Sequence, residues 1–331
     1  MLLGAGVIAL FASILAATAL GGESISLVNV RDILTNHLHL TDVDVFAYKD
    51  VIVWQDRMPR SVVAAAVGAG LAVCGVLLQS LLRNPLADPY LLGISSGAST
   101  GAVIIGVLGL GNAVLGLSGG AFLGALVAFG AVLLLARFAG GSTDRVILAG
   151  VAMTQLFSAL TSFVIFAFAD SDETRGIMFW LLGSLEGVRW NDARLAAVVA
   201  IAGLACCWAA ARALDAFTFG DEVAASLGIP VARVRGALLV LTALITAALV
   251  SVAGAVGFVG LVLPHAARFL VGPGHTRLVP VAALLGAIFL VWVDALSRVA
   301  FHPTPLPLGV GTALVGVPAF VAIMFSRRGR A

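Results

Sequence analysis

Residues 61–82 read SVVAAAVGAGLAVCGVLLQSLL, a run that contains no charged side chain. A helix rises about 1.5 Å per residue, so about 20 apolar residues cross the hydrocarbon core of a bilayer. Gly68, Gly70 and Gly75 recur within the run, and small residues let membrane helices approach one another closely. The stretch therefore predicts a transmembrane helix that packs against other helices.

The rest of the chain has the same character. Hydrophobic residues make up 61% of 331 and charged residues only 11%, with a mean hydropathy of +1.10. A soluble domain is about half apolar and a quarter charged. We therefore predict an all-α polytopic membrane protein in which residues 1–331 form one transmembrane domain. Ten spans are expected, near 2–21, 61–82, 91–111, 115–138, 146–168, 193–212, 236–256, 257–271, 278–299 and 308–326.

The eighth predicted span, 257–271, differs from the others. It is short, contains His265 and Arg268, and ends at a Gly-Pro-Gly sequence, 272–274. These features favour a broken or tilted helix over a clean span.

The hydrophilic connections predict an orientation. Basic residues are more frequent in the connections that lie inside if the N-terminus is inside, so both termini are expected in the cytoplasm. Residues 22–60 then form an outer loop, with an extended-looking stretch at 51–54, and 213–235 form a cytoplasmic loop. Residues 221–228 in this loop begin with two acids and end with glycine, as a short capped helix does. On a face with few other polar segments, such a helix suggests a docking element.

The sequence lacks the residues that several classes of function require. The 19 basic and 17 acidic residues form no block of one sign, which argues against a nucleic-acid partner. We find no nucleotide-binding P-loop and no G-x-S-x-G elbow. The three cysteines lie in apolar runs and are interpreted as buried hydrophobic residues. The five histidines lack zinc-site spacing, and His37 and His39 are interpreted as solvated. We therefore expect no catalytic residue, metal or cofactor in this chain.

Acids are also missing from the middle of the predicted spans. Asp294 lies near an outer end, where an i,i+4 ion pair with Arg298 is the simplest explanation. Transport driven by protons or sodium ions therefore lacks its usual carboxylates. The chain is either a self-sufficient secondary transporter or channel, or the membrane half of a machine whose ATPase is another chain. The predicted helix at 221–228 favours the second.

Specific strings sharpen this choice, because they resemble the FecCD-type permeases of binding-protein-dependent ABC importers for ferric siderophores, haem and cobalamin. In order along nearly the whole chain they are VWQDRMPR at 53–60, GVLLQ at 75–79, NPLADP at 84–89, LGISSGA at 92–98, LAG at 148–150, GDE at 220–222, LG at 227–228, GFVGLVLPH at 257–265 and LPLG at 306–309.

The resemblance implies a type II ABC importer permease of the bacterial inner membrane. Such a permease pairs with a second copy or a close paralogue and receives its substrate from an external binding protein. Two cytoplasmic ATPase subunits bind the ATP and Mg²⁺. The sequence pattern leads us to expect an iron complex, a ferric siderophore or haem, as the substrate, with cobalamin as the alternative.

The resemblance also implies roles for residues outside the spans. Arginines on the outer face receive acids of the binding protein, and their planar fork suits carboxylates; anchoring at the membrane interface is the alternative, and Asp56 beside them is a departure. The matching docking residues are Arg57, Arg60 and Arg298. The matching residues for ATPase coupling are Gly220, Asp221, Glu222, Leu227, Gly228 and Pro230.

The cytoplasmic gate and the translocation path complete the set. The resemblance places the gate at Asn84, Leu86, Thr143 and Asp144. Asp144 replaces an expected small hydroxyl residue, and helix capping or pairing with Arg145 explains it equally well. The helical pattern of the fifth span, 146–168, supplies path candidates with hydroxyl, amide or soft apolar side chains. These are Met153, Gln155, Phe157, Ser158, Thr161 and Ser162.

Overall fold

The computed structural model describes residues 2–109, 112–140, 143–300 and 306–326, and these ranges are helical with connecting turns and contain no strand. The helices are α1 (Leu2–Ala19), α2 (Leu27–His37), α3 (Ala47–Asp50), α4 (Met58–Leu81), α5 (Ile94–Leu108), α6 (Asn112–Phe138), α7 (Thr143–Phe168), α8 (Ser171–Leu181), α9 (Trp190–Ala209), α10 (Ala211–Thr218), α11 (Asp221–Ser226), α12 (Val231–Ala253), α13 (Val259–Val271), α14 (His275–Ala300) and α15 (Leu308–Ser326). A π-helical stretch, Val51–Arg57, joins α3 to α4, and a 3₁₀ turn, Pro89–Leu92, precedes α5.

Each predicted span corresponds to one main helix, although 193–212 runs past the end of α9 into the start of α10. The all-α polytopic architecture is confirmed. Among the described residues, 7 helices are long and apolar enough to cross a membrane: α1, the continuous α3–α4 helix, α6 from Gly116, α7, α9, α12 and α14. The other three predicted spans correspond to the shorter apolar helices α5, α13 and α15. The eighth predicted span is α13, whose 13 residues contain Pro264, in keeping with the expected broken helix.

Helix α4 is the centre of the bundle and packs against α1, α9, α12, α13 and α14. Glycines allow two of these approaches. A Cβ on Gly68 would lie 2.1 Å from the Gly286 oxygen of α14, and one on Gly75 would lie 1.9 Å from the Gly260 oxygen of α13. Backbones in such contact gain van der Waals packing that larger residues would prevent.

The outer segment 22–60 is not the loop that we predicted. It contains α2 and α3, and Ile25, Val30, Ile33 and Val53 form a small second core. The extended stretch expected at 51–54 is π-helical, because it continues α3 into α4.

The interpretation of His37 as a solvated residue is wrong. Its ring stacks on Trp54 at 4.1 Å, and its Nε2 lies 2.8 Å from a carboxylate oxygen of Asp50. Trp190 at the start of α9 donates to the Trp54 carbonyl at 2.8 Å. The histidine therefore helps to fix the outer segment on the bundle.

Candidate functional site

Arg57 closes the C-terminal end of α1. Its guanidinium donates to the carbonyls of Thr18 at 3.2 Å, Ala19 at 3.1 Å and Glu23 at 2.6 Å, and the residue is only 5% exposed. The last carbonyls of a helix have no partner within the helix, and they favour a cation. Arg57 therefore acts as a side-chain cap for α1.

Arg298 approaches the same helix end from α14. It donates to the carbonyls of Ala17 at 3.0 Å and Leu20 at 3.2 Å. Its Nε lies 3.2 Å from Asp294 Oδ2, which confirms the i,i+4 ion pair expected from the sequence. Two arginines from distant parts of the chain thus satisfy the terminal carbonyls of α1.

Arg60 supplies the second cation for Asp294. Its Nε donates to Asp294 Oδ1 at 2.7 Å; Arg60 is 6% exposed and Asp294 is 1% exposed. A buried carboxylate between two guanidinium groups is compensated, whereas either charge alone would be costly. The structure thus brings the three predicted docking arginines together at one end of the bundle. We expected exposed groups there, but Arg57 and Arg60 are buried because their donors already bond within the chain.

The capped helix expected at 221–228 is present as α11. Gly220 precedes it with a φ of 108°, and Gly228 follows it with a φ of 81°, both in the region that glycine tolerates. Arg235 of α12 holds Asp221 through two hydrogen bonds, of 2.9 and 2.5 Å. This bond from Arg235 lowers the pKa of the Asp221 carboxyl below its ordinary value.

The surface of α11 and its flanks is apolar and exposed. Phe219, Val223 and Leu227 are 76%, 42% and 68% exposed, and Glu222 beside them is exposed as well. Pro230 follows at the start of α12. The sequence did not reveal α10, which precedes α11 and packs on α4 and α14 through buried side chains such as Leu214 and Phe217.

The predicted gate residues lie at two places, the loop after α4 and the first turn of α7. Asn84 accepts a hydrogen bond from the Leu86 amide at 2.9 Å, and Leu86 is 53% exposed. Thr143 begins α7, and Asp144 lies exposed in the first turn of that helix. Within the described residues Asp144 forms no ion pair with Arg145, so its place in the first turn, where a carboxylate is favourable, agrees with the capping alternative.

The six path candidates on α7 point in different directions. Thr161 is 7% exposed and lies 2.8 Å from the Thr100 hydroxyl of α5, so this side chain packs between two helices instead of lining an open path. Met153 is half-buried and faces Gly93. Phe157 is half-buried as well, whereas Gln155, Ser158 and Ser162 are exposed. Positions 155, 158 and 162 follow helical spacing and share one face.

These features define a polytopic helical membrane protein: the described residues form a bundle of apolar helices with a short exposed helix, α11, and the sequence has no nucleotide-binding loop. Residues 8–326 match the FecCD transport family, and the chain belongs to this family. It is therefore the permease subunit of an ABC importer. Such permeases are not enzymes, and ATP hydrolysis belongs to a separate subunit.

Curated relatives carry names from the same family. The chain is 44% identical over 282 residues, 85% of its length and 75% of the relative, to the cobalamin import system permease protein BtuC of Halobacterium salinarum. It is 41% identical over 273 residues, 81% of its length and 77% of the relative, to the ABC transporter permease protein YvrB of Bacillus subtilis. It is 38% identical over 285 residues, 84% of its length and 85% of the relative, to the vitamin B12 import system permease protein BtuC of Escherichia coli.

Solved structures agree with the fold. A transporter described as of the metal-chelate ABC type, in an inward-facing conformation, superimposes with a TM-score of 0.86 at 28% identity over 98% of this chain and 99% of the other. The PsaBC structure from Streptococcus pneumoniae has a TM-score of 0.57 at 19% identity over 80% of this chain and 90% of the other, and it supports the fold alone.

Proposed function

We propose that this permease imports cobalamin. The observation that carries the proposal is the 44% identity to a cobalamin permease over 282 residues, together with 38% identity to the vitamin B12 permease of Escherichia coli. The iron complex expected from the sequence pattern is named by none of these relatives, and it becomes the competing substrate in the test below. Both are bulky metal chelates, in keeping with the similarity to a metal-chelate type transporter.

The translocation path in this proposal runs between two copies of the permease. Among the long spans that the structure describes, α7 has the smallest buried share, and its exposed face carries Gln155, Ser158 and Ser162. Polar side chains in a membrane helix usually face a partner helix or a water-filled cavity. A second copy or a close paralogue placed against α7 would provide both.

The proposed partners lie at opposite ends of the bundle. Two ATPase subunits, which carry the ATP and Mg²⁺, dock on α11, where exposed Phe219, Val223 and Leu227 offer an apolar contact. Both termini lie on this cytoplasmic side. The binding protein docks at the other end, near the arginine cluster and the exposed Asp56. Docking directly through Arg57 or Arg60 would require these side chains to leave their present partners.

The proposal is tested by transport in proteoliposomes that contain the permease, its ATPase and its binding protein. We expect ATP-dependent uptake of cobalamin and no uptake when the ATPase is omitted. The same vesicles are tested with a ferric siderophore and with haem under equal loading of the binding protein. Uptake of an iron chelate without uptake of cobalamin would overturn the substrate, and uptake that needs no ATPase would overturn the coupling and favour a secondary transporter.

A further inference from the structure

Three hydrogen-bonded polar side chains join α10, α14 and α4 at the end of the bundle that carries α11; those of α14 and α4 are buried, whereas the α10 member, Asp215, has a side chain that is 41% exposed. Asp215 of α10 accepts two hydrogen bonds from the first residue of α14, His275: one from its backbone N–H at 3.0 Å and one from Nδ1 at 2.7 Å. The other ring nitrogen, Nε2, lies 2.5 Å from the hydroxyl of Ser80 in the last turn of α4. His275 is 1% exposed and Ser80 is 3% exposed.

Both protonation states of His275 preserve these hydrogen bonds. A neutral ring donates from Nδ1 to Asp215 and accepts the Ser80 hydroxyl proton at Nε2. A charged ring donates to both neighbours, and Ser80 then donates to the Val76 carbonyl, which lies 2.9 Å away. The order Ser–His–Asp is that of a hydrolase triad, but a serine buried in the last turn of a helix has no access to a substrate. These hydrogen bonds therefore connect three helices and do not form a catalytic site.

The last turn of α4 continues directly into the predicted gate loop. The Ser80 carbonyl accepts from the Arg83 N–H at 3.3 Å, and the Gln79 carbonyl accepts from the Asn84 N–H at 3.2 Å. Arg83 has a φ of 47°, so a non-glycine residue takes the left-handed conformation that ends the helix here. The same turn that receives His275 thus sets the start of the loop with Asn84 and Leu86.

The side chain of Gln79 adds a contact to a third helix. Its amide nitrogen donates to the carbonyls of Gly260 and Leu261 at 3.2 and 3.3 Å, and its oxygen accepts from Arg268 at 2.5 Å. Helix α13 is therefore bonded to the same turn of α4. This bond holds α4 against α13 while Ser80 holds it to α14.

We propose that Asp215, His275 and Ser80 are positioning residues that transmit movement of α10 and α11 to the gate loop. The proposal rests on the proposed function, because it requires an ATPase that moves α11. Helix α10 ends at Thr218, two residues before the glycine that precedes α11. Because this connection is short, a displacement of α11 also moves α10 and its Asp215. The hydrogen bonds from Asp215 to His275 and from His275 to Ser80 then carry the displacement to the end of α4.

The test measures substrate molecules transported per ATP hydrolysed by the complete complex in proteoliposomes. Asp215→Ala removes the acceptor for His275. It should lower this ratio about fivefold, which is the lower end of typical coupling between two sites. ATP hydrolysis should continue. Ser80→Ala should lower the ratio to a similar extent. The double variant should be no worse than either single one, because both remove the same route. Asp215→Asn retains an acceptor oxygen for His275 and should restore most of the ratio.

A matched control removes a hydrogen bond at the same end of α14 that does not involve Asp215, His275 or Ser80. The Trp208 indole of α9 donates to the Thr276 carbonyl at 3.0 Å, and Trp208→Phe should leave the ratio unchanged. An unchanged ratio in Asp215→Ala and Ser80→Ala, or multiplicative losses in the double variant, would overturn the link. Failure of the proposed function is a separate result, because the unmodified complex would then show no ATP-dependent uptake of cobalamin.

Discussion

Arg57 donates to three backbone carbonyls at once, through donors that its planar guanidinium spreads over two nitrogens. Arg57→Lys keeps the charge but has too short and compact a head group to reach all three. We therefore expect the variant to lower the thermal unfolding temperature in detergent nearly as much as Arg57→Ala. The affinity of the binding protein for the permease is measured in parallel for both variants. If Arg57→Lys keeps both stability and affinity, charge alone matters, and the capping role is contradicted.

Asp294 is the anion of a buried cluster, so its removal leaves Arg60 and Arg298 without their shared partner. Breaking a buried ion pair by removing one side typically costs about 3–5 kcal/mol. We expect Asp294→Asn to show a cost of this order in thermal unfolding. Asp32→Asn is the control, because its partner Arg31 has a side chain that is 69% exposed, and such pairs contribute at most about 1 kcal/mol. Equal effects would show that the cluster is not stabilising.

The predictability of the site differs residue by residue. The Asp294–Arg298 pair could be read from its spacing of four, because a helix brings such positions together. Arg60 lies 234 residues from Asp294 in the sequence, and no local pattern connects them. The link of Asp215, His275 and Ser80 was missed for the same reason. Burial of polar groups decides these contacts, and burial depends on how distant helices pack.

At the scale of elements, the approach of α4 to α13 depends on Gly75. A Cβ there would lie 1.9 Å from the Gly260 oxygen, so Gly75→Ala must push the two backbones apart. Overpacking of this kind typically costs about 1–3 kcal/mol, and we expect it as a lower unfolding temperature. Gly130→Ala in α6 meets no atom within 4 Å and should be neutral or slightly stabilising. Similar losses in both variants would contradict the close approach.

The position of α11 depends on the bond between Asp221 and Arg235. Because this bond lowers the folded-state pKa of Asp221, its contribution is complete above the pKa of the unfolded chain, about 3.9, and is lost as the pH falls through the lower folded value. At about pH 5–8 the carboxylate is ionised in both the folded and the unfolded chain. The protection factor for hydrogen exchange of residues 219–229 should therefore be constant over that range.

Removing the carboxylate tests the same bond directly. Asp221→Asn should increase exchange of 219–229 throughout that pH range, because a neutral amide cannot replace the two charged bonds to Arg235. Glu222→Gln removes an equal charge from the next residue, which is exposed, and should have little effect. If the two variants exchange alike, net charge and not the bond to Arg235 holds the helix.

The long apolar helices could be predicted because hydropathy follows length and composition directly. Segments that are short or amphipathic were harder. The sequence indicated α11 through its acids and glycines, yet α2 and α10 were missed, since both are short and their burial arises from contact with other helices. The outer segment therefore folds where hydropathy alone predicts a loop.

At the scale of the whole molecule, α7 has a polar face that no other described part of the chain covers. Gln155 is midway along α7, and within the described residues its amide has no hydrogen-bond partner. An unpaired amide facing lipid costs several kcal/mol by order of magnitude. The fold and family could be inferred from sequence, but which face of α7 is open follows only from the packing of α5 and α6 on its other side.

A second copy against α7 would complete this face, and cysteine cross-linking tests it. Ser158→Cys is made in a background with Cys206→Ser, because Cys206 is exposed whereas Cys74 and Cys207 are buried. We expect a short bifunctional thiol reagent to yield a covalent dimer in native membranes. Val198→Cys on α9, where the native residue is 65% exposed, is the control and should remain monomeric. A dimer from Val198→Cys and none from Ser158→Cys would place the partner against α9, and the path between two α7 helices would be wrong.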